Sequence, residues 1–183
     1  MKNLKHIDSS WTLFIDRDGV VNEEKKDDYI HKWEEFKFYE GAKEAFEIFS
    51  KKFGVIVMIT NQRGVAKGLT QIADLNHIHK NMKEEIVAAG GRIDNIYVCT
   101  EMESENRKPN PGMGLQAIKD FPATSLAKSI MIGNTLSDMK FGRNLGVAIN
   151  IFLTTTQKEI VLPDQNIDLV FSDLISVARS ISS

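Results

Sequence analysis

Residues 12–22 read Thr-Leu-Phe-Ile-Asp-Arg-Asp-Gly-Val-Val-Asn, and the interpretation of the whole chain depends on this stretch. The apolar run at 13–15 predicts a buried strand, which ends at two carboxylates, Asp16 and Asp18. Residues i and i+2 of an extended backbone lie on the same side, so both carboxylates can reach one crevice. Open α/β sheets bind their ligands at the carboxyl ends of their strands. The stretch therefore predicts a strand that delivers two carboxylates to a ligand site.

Two carboxylates held this close repel each other, and a hard cation such as Mg²⁺ would relieve that repulsion. With a metal present, one carboxylate can attack phosphorus while the other handles the proton of the leaving alcohol. The alternative is an ordinary turn at the strand end, because Asp-Gly is a common turn signal. Both interpretations of Asp16 and Asp18 remain open at this point.

Length and composition favour one globular domain over residues 1–183, since 42% of the residues are hydrophobic and 26% are charged. The formal net charge of −2 argues against a large electrostatic surface for nucleic acid or for an anionic membrane. We therefore expect neither a nucleic-acid partner nor a membrane partner.

Cys99 is the only cysteine, so the chain has no intrachain disulfide and no multi-cysteine zinc site. The amino terminus lacks the apolar core of a secretion signal, and the longest strongly apolar run, at 55–59, is too short to span a bilayer. These features predict a cytoplasmic protein.

Apolar strands alternate with amphipathic helices along the chain. Strands are predicted at 13–15, 55–59, 93–98, 129–132, 147–153 and 168–171, and helices at 41–52, 71–89 and 174–181. This alternation favours an α/β fold with a doubly wound parallel sheet. The polar segment at 23–39 is long for a plain connection and is expected to fold over the site.

Three more strands lead into polar loops with complementary chemistry. The loops carry Thr60, Asn61 and Arg63, then Arg107 and Lys108, then Asn134 and Asp138. Each loop alone could be an ordinary polar connection. In a parallel sheet, however, all of them lie at the same edge as the two aspartates, and together they favour a phosphate site.

At this point the sequence resembles the haloacid dehalogenase-like hydrolases over nearly its whole length. The segments that carry the resemblance are FIDRDGVVN, ITNQRG, RKPNPGM and MIGNTLSDM, which look like the four motifs of that superfamily in order. Within the superfamily, the chain is most similar to the histidinol-phosphate and heptose-1,7-bisphosphate phosphatases. The resemblance implies a Rossmann-like core with little or no separate cap.

The resemblance also implies residue roles. Asp16 would be the nucleophile that forms an aspartyl-phosphate, and Asp18 would act as general acid and then as base. The remaining implied roles are catalytic for Thr60 and Lys108, substrate-binding for Asn61, Gln62, Arg63 and Arg107, and Mg²⁺-binding for Asp16, Asp18, Asn134 and Asp138.

Two departures from the family pattern qualify these expectations. The fourth motif usually has an aspartate where this chain has Asn134, a neutral and weaker ligand, so we expect weakened Mg²⁺ affinity. The cysteine- and histidine-rich zinc loop of many relatives is reduced to Cys99 here, so we expect no zinc.

The sequence thus predicts a Mg²⁺-dependent phosphomonoesterase acting on a small phosphorylated metabolite, as a monomer or weak homodimer. A heptose bisphosphate is the first choice of substrate, and histidinol phosphate remains open. The runner-up is a phosphosugar-binding or regulatory protein that has lost turnover, for which Asn134 is the only argument. A polynucleotide 3′-phosphatase would share the motifs but is disfavoured by the acidic charge balance.

Overall fold

The computed structural model describes residues 4–157 and 160–182. Six strands form one sheet in the order β3-β2-β1-β4-β5-β6, and every neighbouring pair is parallel. The strands are β1 (Thr12–Ile15), β2 (Val55–Asn61), β3 (Asn95–Cys99), β4 (Ser129–Gly133), β5 (Ile149–Leu153) and β6 (Leu169–Phe171). The helices are α1 (Ala42–Lys52), α2 (Arg63–Ala66), α3 (Ile72–Ala88), α4 (Gly112–Asp120), α5 (Leu136–Leu145) and α6 (Leu174–Ser182). The predicted doubly wound parallel sheet is confirmed.

The central strand β1 contributes side chains to two apolar layers. Leu13 and Ile15 are fully buried in the layer that α1, α3 and α6 cover, whereas Phe14 is fully buried in the layer that α4 and α5 cover. This is the alternation expected of a strand buried on both faces of a parallel sheet. Because both layers fix β1, the position of Asp16 directly after it is also fixed.

The order of the strands reverses at β1. The chain runs from β1 outward through β2 and β3, and then crosses to the other side of β1 to form β4. The crevice above a reversal of this kind is where open α/β sheets bind ligands, and here the carboxyl ends of β1 and β4 border it. Asp16 follows the first of these strands and Asn134 follows the second.

The segment at 23–39 contains only one short 3-10 turn, Trp33–Glu35, and returns to the core through a bridge between Asn22 and Phe38. Its aromatic rings pack on one another, with Phe36 stacked on Trp33 and edge-on to Phe38. Over the described ranges 4–157 and 160–182, no helix is both long enough and apolar enough to cross a membrane.

Candidate active site

A buried ion network lies at the carboxyl ends of β1 and β4. The Lys108 ammonium is 2.7 Å from an oxygen of Asp16 and 2.6 Å from an oxygen of Asp138. All three side chains are buried, with residue exposures of 4%, 8% and 1% for Lys108, Asp16 and Asp138. We call these three residues, together with Asp18 and Thr60, the floor of the site.

The charge state of the floor is set by its burial. Burial raises the pKa of Asp16 to about 7, and the nearby Asp138 charge adds to the rise while Lys108 opposes it. The pKa of Lys108 is raised because its two carboxylate partners outweigh its own burial. A cation bound beside Asp16 would favour the ionised, nucleophilic form of this carboxylate.

The Asp18 carboxylate is held by donors from three side chains. Arg17 donates to Oδ1 through Nε at 3.1 Å and Nη2 at 2.7 Å, and Asn22 donates to the same oxygen at 3.0 Å. Gln62 donates to Oδ2 at 2.8 Å. Burial alone would raise the pKa of Asp18, but Arg17 and these donors outweigh it and lower the pKa. Asp18 is therefore ionised at a pH at which Asp16 tends to hold a proton.

Arg17 holds the Asp18 carboxylate in place, a role that the sequence motifs do not indicate. Its side chain is fully buried, and its Nη1 lies 3.0 Å from Nε2 of His79 on α3. Burial and the Arg17 charge lower the pKa of His79 to about 3, so the imidazole is neutral and can accept from the guanidinium. Strand alternation could have indicated that Arg17 has a different environment, since it places Arg17 on the side opposite to both aspartates.

Two residues predicted to bind substrate use their side chains to hold the floor. The Asn61 amide makes a reciprocal pair of hydrogen bonds with the main chain of Lys108, each 3.1 Å long. Gln62 is buried and donates to both Asp18 and the Thr60 hydroxyl, each at 2.8 Å. Because the Thr60 oxygen accepts from Gln62, its own proton is available to a ligand.

Asp138 has protein partners on both carboxylate oxygens. One oxygen pairs with Lys108, and the other accepts from the main-chain N–H and the hydroxyl of Thr135 at 3.0 and 2.7 Å. Thr135 in turn caps the first turn of α5 by accepting from the Asp138 N–H. The sequence predicted Asp138 near the site, and the capping box explains why its carboxylate is oriented toward Lys108.

Asn134 is 1% exposed and leaves one polar atom without a partner. Its Nδ2 donates to the Thr156 hydroxyl at 2.9 Å, while its Oδ1 has no hydrogen-bond partner in the described part of the chain. The side chain packs on the backbone of Gly19, where an added Cβ would lie 2.0 Å from Nδ2. Gly19 also has a φ of +78°, so both conformation and space require glycine there.

The oxygen atoms of these side chains are suitable ligands for a hard cation, which binds amide and carboxylate oxygens. The orphaned Asn134 oxygen and the Asp16 carboxylate are of the type that Mg²⁺ prefers. Among residues 4–157 and 160–182, no group of three or more His, Cys, Asp and Glu side chains could hold a metal ion. A cation at this edge would thus depend on neutral donors as well as on carboxylates.

A cavity of about 790 Å³ opens above the floor. Asp16, Asp18 and Asp138 line it, and Glu24, Arg63 and Arg107 line it as well. We call these last three residues the rim. Burial lowers the pKa of Arg107, and the positive charge of Arg63 adds to the lowering.

The structure brings most of the predicted residues into one cavity wall and adds others. Asp16, Asp18, Lys108 and the two arginines lie together as expected, whereas Gln62 and Thr60 lie behind the surface. Glu24 was missed because it sits in a loop without periodic pattern, where only its charge distinguishes it.

Comparisons with known proteins agree with this geometry. The model of the polynucleotide kinase 3 phosphatase family matches residues 6–141. D-glycero-alpha-D-manno-heptose-1,7-bisphosphate 7-phosphatase from Campylobacter jejuni is 37% identical over 148 residues, which cover 80% of this chain and 84% of that protein. D-glycero-beta-D-manno-heptose-1,7-bisphosphate 7-phosphatase from Helicobacter pylori is 35% identical over 153 residues, covering 81% and 86%.

The fold is also similar to that of a solved relative. The crystal structure of D,D-heptose 1,7-bisphosphate phosphatase from B. bronchiseptica, complexed with magnesium and phosphate, superposes with a TM-score of 0.82. The identity is 28%, and the match covers 92% of this chain and 96% of that one. The resemblance drawn from the four sequence motifs is therefore confirmed.

Proposed function

Because the chain belongs to the polynucleotide kinase 3 phosphatase family of haloacid dehalogenase-like hydrolases, we propose that it is a Mg²⁺-dependent phosphatase of a heptose 1,7-bisphosphate. The observation that carries the proposal is the position of the Lys108 ammonium between the Asp16 and Asp138 carboxylates at the end of the cavity. This arrangement keeps a nucleophilic carboxylate beside a buried positive charge, where a phosphoryl group can be transferred.

In the first step, an oxygen of Asp16 attacks phosphorus and the bond to the leaving sugar oxygen breaks. Asp18 gives its proton to that oxygen, and Asp16 becomes an aspartyl-phosphate. The pKa of Asp18 is low in the free site, and the negative charge of an arriving phosphate raises it, which favours uptake of the proton. Lys108 and the Thr60 hydroxyl stabilise the charge on the phosphoryl oxygens.

In the second step, Asp18 is again a carboxylate and takes a proton from water as the water oxygen attacks phosphorus. The bond between phosphorus and Asp16 breaks, which releases phosphate and restores the nucleophile. Arg17 and Gln62 keep Asp18 in place for both steps.

The cation would be held by the Asp16 carboxylate, the Asp18 main-chain carbonyl and the Asn134 amide oxygen. When bound, Mg²⁺ would neutralise charge on the transferring phosphate. We assign Asp138 to Lys108 instead of to the metal, because both of its oxygens already have protein partners. No zinc is assigned to this site.

The rim supports a substrate with two phosphates. Arg63 and Arg107 both line the cavity, and a guanidinium group binds a phosphate through parallel hydrogen bonds. A substrate whose reacting phosphate meets Asp16 would bring its second phosphate to these arginines. The relatives carry names with both the alpha and the beta anomer, so either anomer is a candidate.

The test is phosphate release from both heptose bisphosphate anomers, histidinol phosphate and a 3′-phosphorylated oligonucleotide, with Mg²⁺ and with chelator. We expect turnover of a heptose bisphosphate that requires metal and disappears in Asp16→Asn. Asp74→Asn, the same chemical change on α3, should keep the activity. Turnover of the oligonucleotide alone would assign the site to nucleic acid, and binding of phosphosugar without turnover would favour a regulatory protein.

A further inference from the structure

The two carboxylate oxygens of Asp18 have unequal numbers of hydrogen-bond donors. Oδ1 accepts from Nε and Nη2 of Arg17 at 3.1 and 2.7 Å and from Asn22 at 3.0 Å. Among the described residues, Oδ2 accepts from the Gln62 side chain only, at 2.8 Å. A carboxylate oxygen has two lone pairs, so Oδ1 is saturated whereas Oδ2 keeps one lone pair for a further partner. Oδ2 is therefore the oxygen through which Asp18 can give and take a proton.

The Arg17 guanidinium that occupies Oδ1 is itself held from another side. Its Nη1 lies 3.0 Å from Nε2 of His79 on α3. An arginine stays protonated in proteins and its nitrogens only donate, so the imidazole nitrogen is the acceptor of this hydrogen bond. Arg17 is fully buried and His79 is 9% exposed, so each depends on protein partners for its hydrogen bonds. A chain of hydrogen bonds thus runs from the imidazole through Arg17 to Asp18.

His79 is a polar residue on an apolar helix face. The other buried residues of α3 are all hydrophobic, namely Leu75, Ile78, Met82 and Ile86. His77, two positions earlier, is exposed and pairs with Asn81 on the same helix. Without the His79 acceptor, an N–H group of Arg17 would be buried and unpaired, which costs more than an ordinary hydrogen bond contributes. The guanidinium would then shift to find another acceptor and would release Oδ1 of Asp18.

We propose that His79 is a positioning residue for proton transfer by Asp18: it holds Arg17 on Oδ1 and thereby reserves Oδ2 for the proton. In the first step Oδ2 gives its proton to the leaving sugar oxygen, and in the second step it takes one from the attacking water. The inference rests on the proposed phosphatase function and adds to it a residue that acts through Arg17.

The first measurement is steady-state kinetics of His79 variants with a heptose bisphosphate. His79→Leu removes the acceptor, and His79→Phe removes it while keeping a planar ring, so that one variant remains if the other does not fold. Both should lower kcat about tenfold, a part of what general acid catalysis contributes, with KM within about twofold. His79→Gln supplies an amide oxygen as acceptor and should keep kcat within about twofold of the unaltered protein. His77→Leu is the matched control and should leave kcat and KM unchanged.

The second measurement asks whether the loss concerns the proton. It uses an analogue of the bisphosphate in which sulfur replaces the oxygen that bridges the sugar and the released phosphate. A thiolate leaves without a proton, so the analogue does not need the acid form of Asp18. The value of kcat/KM reports the steps up to departure of the leaving group. For the analogue it should be within about twofold in His79→Leu and the unaltered protein.

An unchanged kcat of the acceptor-free variants with the bisphosphate would overturn the inference and leave the phosphatase proposal intact. Equal losses with the oxygen and the sulfur compound would also overturn it, because a general distortion of the site affects both leaving groups. A loss in His79→Gln as large as that in His79→Leu would likewise contradict a role as acceptor. Absence of phosphate release by the unaltered protein would contradict the proposed function itself.

Discussion

The floor of the cavity consists of charges bound to protein partners, whereas the rim consists of side chains from the segment at 23–39, the first residue of α2 and the loop after β3. In the floor, each charge meets an opposite charge or several donors within 3.1 Å. At the rim, two arginines and a glutamate line the cavity. This difference indicates that the floor residues carry out the reaction, whereas the rim residues select the substrate.

The largest effect is expected when the floor loses its central cation. Lys108→Met leaves Asp16 and Asp138 buried without a counter-charge, so the free energy of unfolding should fall by about 3–5 kcal/mol. Urea denaturation measures the change. Adding Asp138→Asn should recover part of the loss, because one uncompensated charge is then removed. If Lys108→Met were as stable as the unaltered protein, the ion pairs of Lys108 with Asp16 and Asp138 would not be what stabilises the floor.

A smaller, pH-dependent effect is expected beneath the floor, at His79. The pKa of His79 is about 3 in the folded protein, while an imidazole in the unfolded chain has an ordinary value near 6.5. Between these values the unfolded state binds one more proton, so stability falls as the pH falls, by about 1.4 kcal/mol per pH unit. The contribution is fully present above the unfolded pKa.

His79→Gln keeps an acceptor for Arg17 and cannot take up this proton. Denaturation curves at pH 7, 6 and 5 should therefore show the unaltered protein losing stability relative to the variant as the pH falls. The difference between the two proteins isolates His79, because Asp16, whose raised pKa acts in the opposite direction, titrates in both. Parallel pH profiles would contradict the assignment of a neutral, buried His79.

The smallest effect is expected at the rim and should depend on the substrate. Arg107→Met removes one of the two guanidinium groups, so KM for a heptose bisphosphate should rise about tenfold, with kcat little changed. The control is the same variant acting on a heptose monophosphate that has only the reacting phosphate, where KM should be unaltered. Equal increases for both substrates would assign Arg107 to the reacting phosphate and remove the distinction between floor and rim.

The sequence predicted the floor better than the rim for a physical reason. Asp16 follows β1 directly and Lys108 lies in the loop after β3, and the common edge of a parallel sheet brings such residues together whatever their distance along the chain. Glu24 lies in a loop, and nothing in the sequence indicates that it lines the cavity beside Asp16 and Asp18. The partnership of Arg17 with His79, 62 positions away, likewise depends on how α3 packs in the same apolar layer as β1.

Two of the predicted site residues also have protein partners that the sequence does not indicate. Asn61 was expected to bind substrate, and its side-chain amide forms two hydrogen bonds with the main chain of Lys108. Asp138 was expected to bind metal, but the capping box with Thr135 fixes the direction of its carboxylate. Both side chains are in the predicted place, and their partners could be identified only from the folded chain.

The role of Asp16 as nucleophile is tested most directly by trapping the aspartyl-phosphate. Protein quenched in acid during the first turnover of a heptose bisphosphate is reduced with borohydride, which converts an acyl phosphate to an alcohol and leaves free carboxylates intact. Peptide mass spectrometry should then find homoserine at position 16 when substrate and Mg²⁺ were present, and aspartate there when either was omitted. Measurable turnover with unmodified Asp16, or with homoserine at position 18 instead, would contradict the proposed reaction.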